Sequence, residues 1–288
     1  MKIGICIVWF NPNKDDVLKK LNLIEKLNFP IVILDNSPIP LLDPKSIISN
    51  TITIKCFNKN IGIAAAQNEG IQFLKKLCVE SILFLDQDSY FPNNKITDLI
   101  NSYFKTKKND DKFGGIGPSA INDYTKKTYE PRFTARKMID IDLAIVPDLI
   151  SSGSIIPISV FDDVGCFESE LFIDGVDHEW CWRCVAKGYN FYLNTEIFLN
   201  HKLGEGDLVF FGFSFAIPKP IRTYYQYRNF IRLFPRSYVP KRWKLINLFK
   251  YLLKIPVYFI VSKDRFSFLK YSFKGIFDGF TNKSNSNI

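Results

Sequence analysis

Short apolar runs and segments of helical spacing alternate through the N-terminal third of the chain. The apolar runs are rich in β-branched residues, which is typical of buried parallel strands. The segments between them repeat apolar residues every three or four positions, as an amphipathic helix does. The predicted strands are 3–8, 31–34, 51–56 and 81–85, and the predicted helices are 13–27 and 63–77. This order predicts an α/β fold with a mostly parallel, doubly wound sheet.

The middle of the chain has a less regular pattern. We predict helices over 93–104 and 176–187, strands over 113–118 and 139–146, and a strand that ends within 198–202. Gly204, Gly206 and Gly212 interrupt the stretch that follows, so residues 202–216 are predicted to form a mobile loop or lid.

Basic and aromatic helices are predicted for the rest of the chain. Residues 241–254 place apolar side chains on one face and lysines on the other. Pro256 is predicted to interrupt this helix, and phenylalanines recur at helical spacing over 265–280. We therefore divide the chain into an α/β domain, residues 1–218, and a C-terminal helical region, residues 219–288.

Charge is unevenly distributed along the 288 residues, whose formal net charge is +9. From residue 219 onward there are fifteen Lys and Arg but only two acidic residues, whereas the preceding part is slightly acidic. A basic tail favours an anionic partner, which could be a membrane surface, a nucleic acid or a phosphorylated substrate. Cationic amphipathic helices favour a membrane surface, and the alternative is an intramolecular cap with a solvated charged face. No recognised nucleic-acid-binding motif is present, so we expect no nucleic-acid partner.

The apolar pattern bears on whether a signal peptide or a membrane-spanning helix is expected. The N-terminus runs directly into the first predicted strand, and no run of eighteen apolar residues occurs, so neither a signal peptide nor a spanning helix is expected. The six cysteines lie mostly in apolar surroundings, which is typical of reduced thiols in the cytoplasm. Cys181 and Cys184 are predicted to pack within a helix rather than bind a metal.

Two carboxylates, Asp86 and Asp88, follow the apolar strand 81–85. Ligands bind at the carboxyl ends of strands in such sheets, and carboxylates suit hard divalent cations that bridge to phosphate oxygens. A single Asp-x-Asp is also common in surface turns, so the motif needs support from its context. Asp35, at the end of the second strand, occupies an equivalent position.

The segment that opens the helix over 63–77 is rich in small residues. Gly62 permits a turn, and Ala64, Ala65 and Ala66 allow the helix to approach the sheet closely. The helix N-terminus could present N–H groups to an anionic ligand, and plain helix–sheet packing is the alternative.

Eight short motifs in a fixed order resemble glycosyltransferase family 2, within its rhamnosyltransferase-like branch. The resemblance covers roughly residues 3–235, and each motif is modest by itself, whereas the ordered set is specific. The matching stretches are residues 8–12 (VWFNP), 35–37 (DNS), 60–70 (NIGIAAAQNEG), 85–89 (LDQDS), 152–154 (SGS), 170–180 (ELFIDGVDHEW), 201–204 (HKLG) and 224–229 (YYQYRN).

This resemblance implies a GT-A fold, inverting sugar transfer and a bound Mg²⁺ or Mn²⁺. It implies that Asp88 binds the metal directly, that His201 adds a metal or diphosphate contact, and that Asp35 and Asp86 contact the nucleotide. For His201 the alternative is a structural histidine at a strand end. The predicted nucleotide and donor residues are Phe10, Asn11, Asp35, Asn60, Gly62, Ala65, Asn68, Asp86, Gln87 and Arg228. Arg228 has the alternative of stabilising the fold.

Inverting transfer needs one base to take the proton of the acceptor hydroxyl. By resemblance this base is Asp177, with Asp174 as the competing candidate. Asp174, Glu179 and Trp180 are the predicted acceptor-binding residues, although Glu179 could instead orient Arg183, and core packing is the alternative for Trp180.

The resulting hypothesis is a glycosyltransferase that moves L-rhamnose from dTDP-L-rhamnose to a cell-surface glycan or lipid-linked acceptor. Users of UDP-hexose or UDP-galactofuranose share these motifs and remain an alternative. A non-catalytic membrane- or nucleic-acid-binding protein is the alternative from another class. A nucleotidyltransferase is disfavoured because the first strand is followed by Trp-Phe-Asn-Pro rather than by a Gly-rich basic loop. We expect the protein at the inner face of a bacterial plasma membrane, on its cytoplasmic side.

Overall fold

A nine-stranded sheet forms the centre of the structure. The computed structural model describes residues 2–44, 49–89, 91–92, 95–122, 137–201, 207–210, 213–216, 218–262 and 264–281. The strands are β1 (Ile3–Trp9), β2 (Ile31–Asp35), β3 (Ile52–Cys56), β4 (Ser81–Asp86), β5 (Phe113–Asn122), β6 (Lys137–Met138), β7 (Leu143–Val146), β8 (Ile155–Pro157), β9 (Asn190–His201), β10 (Asp207–Phe210) and β11 (Phe213–Ala216). The helices are α1 (Lys14–Glu25), α2 (Ile63–Lys76), α3 (Lys95–Lys108), α4 (Ile158–Val164), α5 (Val176–Ala186), α6 (Pro220–Leu233), α7 (Lys241–Val261) and α8 (Arg265–Thr281).

The strand order of the large sheet is β3-β2-β1-β4-β8-β5-β9-β7-β6. Strands β1 to β4 pair in parallel, as do β5 and β9, whereas β8 is antiparallel to both β4 and β5. The predicted α/β fold with a mostly parallel sheet is therefore confirmed. Because β8 runs against its neighbours, the residues before it lie alongside the carboxyl end of β4.

Helices cover both faces of the sheet, as the doubly wound prediction required. Apolar side chains of α2 and α5 join one core cluster, and those of α1 and α3 join the other. Helix α2 approaches β1 closely, because a Cβ atom at Gly70 would lie only 2.4 Å from the Cys6 Sγ atom. Cys181 and Cys184 are both buried within α5, so their predicted packing role is confirmed.

Three local predictions are wrong. Strand β5 continues to Asn122 rather than ending at residue 118. Within residues 202–216, the described part forms an antiparallel hairpin of β10 and β11 rather than a loop, and the remainder lies outside the described residues. Helix α7 continues through Pro256, whose missing N–H costs one hydrogen bond on an exposed part of the helix.

The C-terminal helices are attached to the α/β domain through α6. Helix α8 packs against α6 at two glycines, where a Cβ atom would lie 2.4 Å from the Tyr224 carbonyl oxygen at Gly275 and 2.9 Å from the Ile231 Cβ atom at Gly279. The predicted boundary at residue 218 falls just before α6, which is itself deeply buried. Among the described residues, none of the helices has the length and apolar character needed to cross a bilayer.

Candidate active site

The carboxyl ends of β1 and β4 are joined by the side chain of Gln87. Its Oε1 atom accepts the Phe10 N–H at 2.7 Å, and its Nε2 atom donates to the Phe10 carbonyl at 3.2 Å. Both ends of the amide therefore bind one backbone unit, which holds the turn between Asp86 and Asp88 beside β1. The Phe10 side chain is exposed at this edge.

Asp35 organises the loop that follows β2. Its two carboxylate oxygens accept N–H groups of Ser37 and Leu41, at 2.9 and 3.0 Å, and its side chain is fully buried. The Ser37 hydroxyl in turn accepts the N–H of Asn11, which lies in the left-handed region with φ of 47°. Asp35 thus shapes the loop at the predicted nucleotide site through backbone contacts.

Two asparagines connect this loop to the start of α2. The Asn36 side chain donates to Asn60 Oδ1 at 2.9 Å and accepts the Ile61 N–H at 2.8 Å. Asn60 also accepts the Gly62 N–H at 3.0 Å. Asn36 is not among the predicted site residues, although it directly follows Asp35 within the matching stretch 35–37.

The first N–H group of α2 is bound by another part of the chain. The Ile63 N–H donates to the Phe172 carbonyl at 2.8 Å, and Gly62 has φ of 87° with the Phe172 ring against its Cα atom. The Asn68 side chain exchanges two hydrogen bonds with the Phe167 backbone. The Ile63 N–H is thus occupied within the chain, whereas anion binding by the other N–H groups of this helix end stays a prediction, and Ala65 is a half-buried position of the helix.

The segment 148–154, between β7 and β8, links the end of β4 to the start of α5. The Gly153 N–H donates to the Phe84 carbonyl at 2.8 Å, and the Ser152 hydroxyl donates to the Ser89 hydroxyl at 2.8 Å. One residue earlier, the Ser151 N–H donates to Asp177 Oδ2 at 3.2 Å. The Asp-x-Asp turn and the candidate base are thus connected through three consecutive residues.

The two candidate bases, Asp177 and Asp174, have different surroundings in the structure. Asp177 is half-buried in the first turn of α5, where Oδ1 accepts the His178 N–H at 3.0 Å. Asp174 lies before the helix with φ of 66°, and the Arg222 guanidinium of α6 binds both of its oxygens, at 2.7 to 3.1 Å. Arg222 therefore occupies both carboxylate oxygens of Asp174, whereas the hydrogen bonds described for Asp177 come from backbone N–H groups.

An ion pair that the sequence analysis missed adjoins Asp177. His178 Nδ1 lies 3.2 Å from Asp148 Oδ1, and Asp148 Oδ2 accepts the Trp182 indole N–H at 2.9 Å. Although burial alone would lower it, the carboxylates of Asp148 and Asp177 raise the pKa of His178 to about 10. Burial alone would likewise raise the pKa of Asp148, but the charge of His178 lowers it.

Two of the predicted acceptor residues lie in the interior. Trp180 is fully buried, its indole N–H donates to the Gly165 carbonyl at 2.8 Å, and its ring stacks on Phe161. Glu179 is also fully buried, with Arg183 Nε and the Tyr238 hydroxyl each 2.7 Å from its carboxylate. Because both side chains are buried, neither has a surface that an acceptor could contact. The prediction is therefore wrong for both: Trp180 packs in the core, and Glu179 pairs with Arg183.

Arg228 is buried and holds the turn before α5. Its guanidinium donates to the carbonyls of Glu170 and Leu171, at 2.6 and 3.1 Å, and to the Asn229 side chain. Asn229 donates in turn to the carbonyls of Leu171, Ile173 and Asp174. These contacts favour the fold-stabilising alternative for Arg228.

The predicted metal ligand Asp88 fits a cation that a diphosphate would help to bind. It is a half-buried carboxylate just after β4, and carboxylates suit Mg²⁺ or Mn²⁺, while Asp86, which is predicted to contact the nucleotide, ends β4 and is also half-buried. Among the described residues, no group of three or more His, Cys, Asp or Glu side chains could hold a metal ion by itself. His201 ends β9, and its side chain lies outside the described residues.

Comparison with known proteins finds a sequence relative and solved structures of similar fold. A Shigella flexneri protein described as dTDP-rhamnosyl transferase RfbF is 28% identical over 282 residues, which cover 95% of this chain and 93% of the relative. The crystal structure of GalNAc-T7 with UDP, GalNAc and Mn²⁺ matches with a TM-score of 0.56 and 14% identity. That match covers 91% of this chain and 58% of the solved chain, and it confirms the predicted GT-A fold. No protein-family model matches the sequence.

We predict that Glu179→Gln destabilises the protein by about 3–5 kcal/mol, because it leaves Arg183 and Arg236 beside a neutral group in a buried site. The free energy of unfolding in urea measures the effect. Glu69→Gln is the matched control, since Glu69 pairs with Lys55 at the surface and its loss should cost roughly 0–1 kcal/mol. Equal costs for the two variants would contradict the prediction.

Proposed function

We propose that this chain, a rhamnosyltransferase-like glycosyltransferase, transfers L-rhamnose from dTDP-L-rhamnose with inversion at the anomeric carbon. The resemblance predicted from the sequence is confirmed at the level of a rhamnosyltransferase-like glycosyltransferase. The observation that carries the proposal is the 28% identity to the dTDP-rhamnosyl transferase, which extends over nearly the whole of both chains. The acceptor that we propose is a glycan or a lipid-linked saccharide.

The donor site that we propose lies at the carboxyl ends of β1, β2 and β4. These ends carry the Phe10–Gln87 contact, the loop shaped by Asp35, and the carboxylates of Asp86 and Asp88. Ligands of doubly wound sheets bind at this edge. The nucleotide would lie against the β2 loop, with its diphosphate towards Asp88.

Asp177 is the base that we propose for the acceptor hydroxyl. Two backbone N–H groups fix its carboxylate, and segment 148–152 places it beside the end of β4. The acceptor oxygen would lose its proton to Asp177 as it attacks the anomeric carbon from the face opposite the departing dTDP. The transition state has oxocarbenium character by analogy with glycoside hydrolysis.

Asp88, with Asp86 beside it, would hold Mg²⁺ or Mn²⁺ together with the donor diphosphate. When bound, the cation neutralises the negative charge that develops on the leaving group. The Gln87 contact with Phe10 fixes the turn that carries both carboxylates, so the ligands would keep their orientation before the donor arrives.

Asp177→Asn should reduce transfer from dTDP-L-rhamnose by about 10²–10⁴-fold, because an amide cannot accept the acceptor proton. Release of dTDP, measured in the presence of a panel of acceptor glycosides, monitors the reaction. Asp163→Asn, at an exposed pair with Lys187, controls for the loss of one negative charge and should leave the rate unchanged. If Asp174→Asn abolished transfer while Asp177→Asn kept it, Asp174 would be the base.

Asp88→Asn should weaken Mg²⁺-dependent binding of dTDP by at least about tenfold, because one anionic ligand of the cation is lost. Isothermal titration of dTDP with and without Mg²⁺ measures this affinity, and EDTA should bring the wild type to the level of the variant. Equal dTDP affinity of the wild type with and without Mg²⁺ would refute metal dependence. A panel of dTDP- and UDP-sugars in the same assay tests the donor.

We further propose that α7 and α8 bind an anionic membrane surface. Helix α8 turns small or polar residues towards α6, among them Ser272, Gly275 and Gly279, and turns large aromatic residues outward. Helix α7 buries Lys254, whose ammonium donates to Gln226 of α6 at 2.7 Å, while Leu252 is exposed. The outward apolar side chains are Leu245, Phe249, Leu252, Phe259, Ile260, Phe266, Phe273, Phe277 and Phe280.

An intramolecular cap would bury the apolar side chains of these helices and expose their charged side chains. Here the outward apolar side chains are exposed instead. A contiguous exposed apolar surface indicates an interaction site, and the basic side chains on the same helices favour anionic lipid. The exposed cations on α7 and α8 are Lys241, Arg242, Arg265 and Lys270. A lipid-linked acceptor would be presented to the enzyme at such a surface.

The double variant Phe273→Ser/Phe277→Ser should bind phosphatidylglycerol vesicles at least about a hundredfold more weakly, because each inserted Phe contributes roughly 1.5–3 kcal/mol. Sedimentation with vesicles measures binding. Ile141→Ser removes an exposed apolar side chain outside these helices and should bind like the wild type. Wild-type binding by the double variant would contradict the proposal, and a dimer that the variant abolishes in analytical ultracentrifugation would assign the surface to a second copy.

A further inference from the structure

The Asp148–His178 pair is a polar element of the site to which the proposed mechanism gives no role. Asp148 is a buried carboxylate, and the side chain of His178 is 30% exposed. A buried ion pair often adds little stability compared with apolar residues of the same volume. Its presence next to the candidate base therefore favours a function at the site.

The position of the pair follows from segment 148–152. Along this segment, Ser152 contacts Ser89 after β4, Ser151 contacts Asp177, and Asp148 contacts His178. The contacts therefore follow the segment in the order Ser89, Asp177 and His178. In the proposed mechanism the acceptor lies on the side of Asp177 away from the β4 carboxylates, which is the side that this order assigns to His178.

The ring of His178 is held in one orientation. Nδ1 faces Asp148, the ring stacks on Trp182 with centroids 5.8 Å apart, and Trp182 donates its indole N–H to the same Asp148 carboxylate. With Nδ1 directed at Asp148, Nε2 is the ring nitrogen that can face a ligand. Among the described residues Nδ1 makes no hydrogen bond, so the charge of Asp148 at 3.2 Å and the stacking on Trp182 are what orient the ring.

A small cavity adjoins the pair. It measures about 30 Å³, and Pro118, Ala120 and Ile150 line it together with Asp148 and His178. The space admits a water molecule or a single substituent of a sugar ring. A ligand group can therefore approach the pair without displacing the core.

We propose that His178, oriented by Asp148, binds the acceptor by donating a hydrogen bond from Nε2 to an oxygen of the sugar whose hydroxyl Asp177 deprotonates. This inference rests on the proposed function, and it adds a contact that selects the acceptor. The groups that face His178 are the carboxylates of Asp148, Asp177 and Asp174, and they favour the protonated, donating form at neutral pH.

The kinetic test compares His178→Phe, which removes the donor, with His178→Gln, which keeps an N–H donor. The substrates are dTDP-L-rhamnose and octyl glycosides of L-rhamnose, D-glucose, D-galactose and N-acetyl-D-glucosamine. For a glycoside that the wild type uses, His178→Phe should lower kcat/KM for the acceptor about tenfold, the effect of one lost hydrogen bond, whereas His178→Gln should restore most of it. Hydrolysis of the donor by water should change less than about twofold in both variants, since water does not need the acceptor contact.

The spectroscopic test uses the fact that the chain has only two histidines, so that His178→Gln identifies the His178 Hε1 signal. We expect this signal to stay constant between about pH 5.5 and 8.5 in the wild type and to titrate in Asp148→Asn. A glycoside added to the complex with dTDP and Mg²⁺ should shift it.

The proposal is overturned if His178→Phe keeps the wild-type kcat/KM for the acceptor, or if no glycoside shifts the His178 signal. Absence of both hydrolysis and transfer in the wild type would instead refute dTDP-L-rhamnose as the donor. In that case the shift caused by the glycosides still decides the acceptor contact.

Discussion

The site depends on the backbone of segment 148–154, which is fixed at three points. Its end pairs with β4 through Phe84, its middle contacts Ser89 and Asp177, and its start carries the partner of His178. This arrangement is possible because β8 runs antiparallel between β4 and β5, so that the chain enters β8 from the edge where ligands bind. The distance between the carboxylates that follow β4 and the candidate base Asp177 is thereby set by hydrogen bonds of consecutive residues. A misplacement of about 1 Å between reacting groups can cost a hundredfold in rate, so rigidity at this point has a direct catalytic value.

Buried charge pairs fix the other side of α5. Glu179 binds Arg183 and Tyr238 within the interior, and Arg236 connects this group to Glu168. Because two buried charges gain little from each other beyond their desolvation cost, such a network is better understood as fixing orientation than as adding stability. It joins α5 to the end of α6, whose first turn carries the Arg222 that holds Asp174. Helix α5, which carries the proposed base, is therefore oriented by the C-terminal part of the chain.

The sequence predicted the N-terminal part of the fold, where each strand or helix has a clear apolar periodicity. Strands β1 to β4 and helices α1 and α2 were placed within a few residues, because a buried parallel strand and an amphipathic helix have distinct patterns. Long-range pairing has no such local signature, so the antiparallel insertion of β8 and the Asp148–His178 pair were not foreseen. Trp180 was predicted to bind the acceptor because aromatic residues occur both in protein cores and in sugar-binding sites. Only its burial in the structure shows that it belongs to the core. In the same way, the sequence marked Arg228 as important, but its carbonyl contacts depend on a turn 57 residues away.

Periodicity located the apolar faces of α7 and α8 but could not say which face meets the protein. The glycines of α8 decide this, because Gly275 and Gly279 allow the backbone of α6 to approach closely. Phe273, Phe277 and Phe280, on the other faces of the helix, are then exposed. Helix α7 is attached to α6 through the Tyr227 hydroxyl, which donates to the Tyr251 carbonyl, and through Lys254. Helix α6 is thus in contact with the proposed lipid-binding helices on one side and with the turn before Asp177 on the other. A bilayer that binds α7 and α8 would fix α6, and with it Asp174 and the start of α5, at a constant height above the lipid surface. Such a geometry suits an enzyme whose acceptor is held in the membrane while its donor arrives from solution.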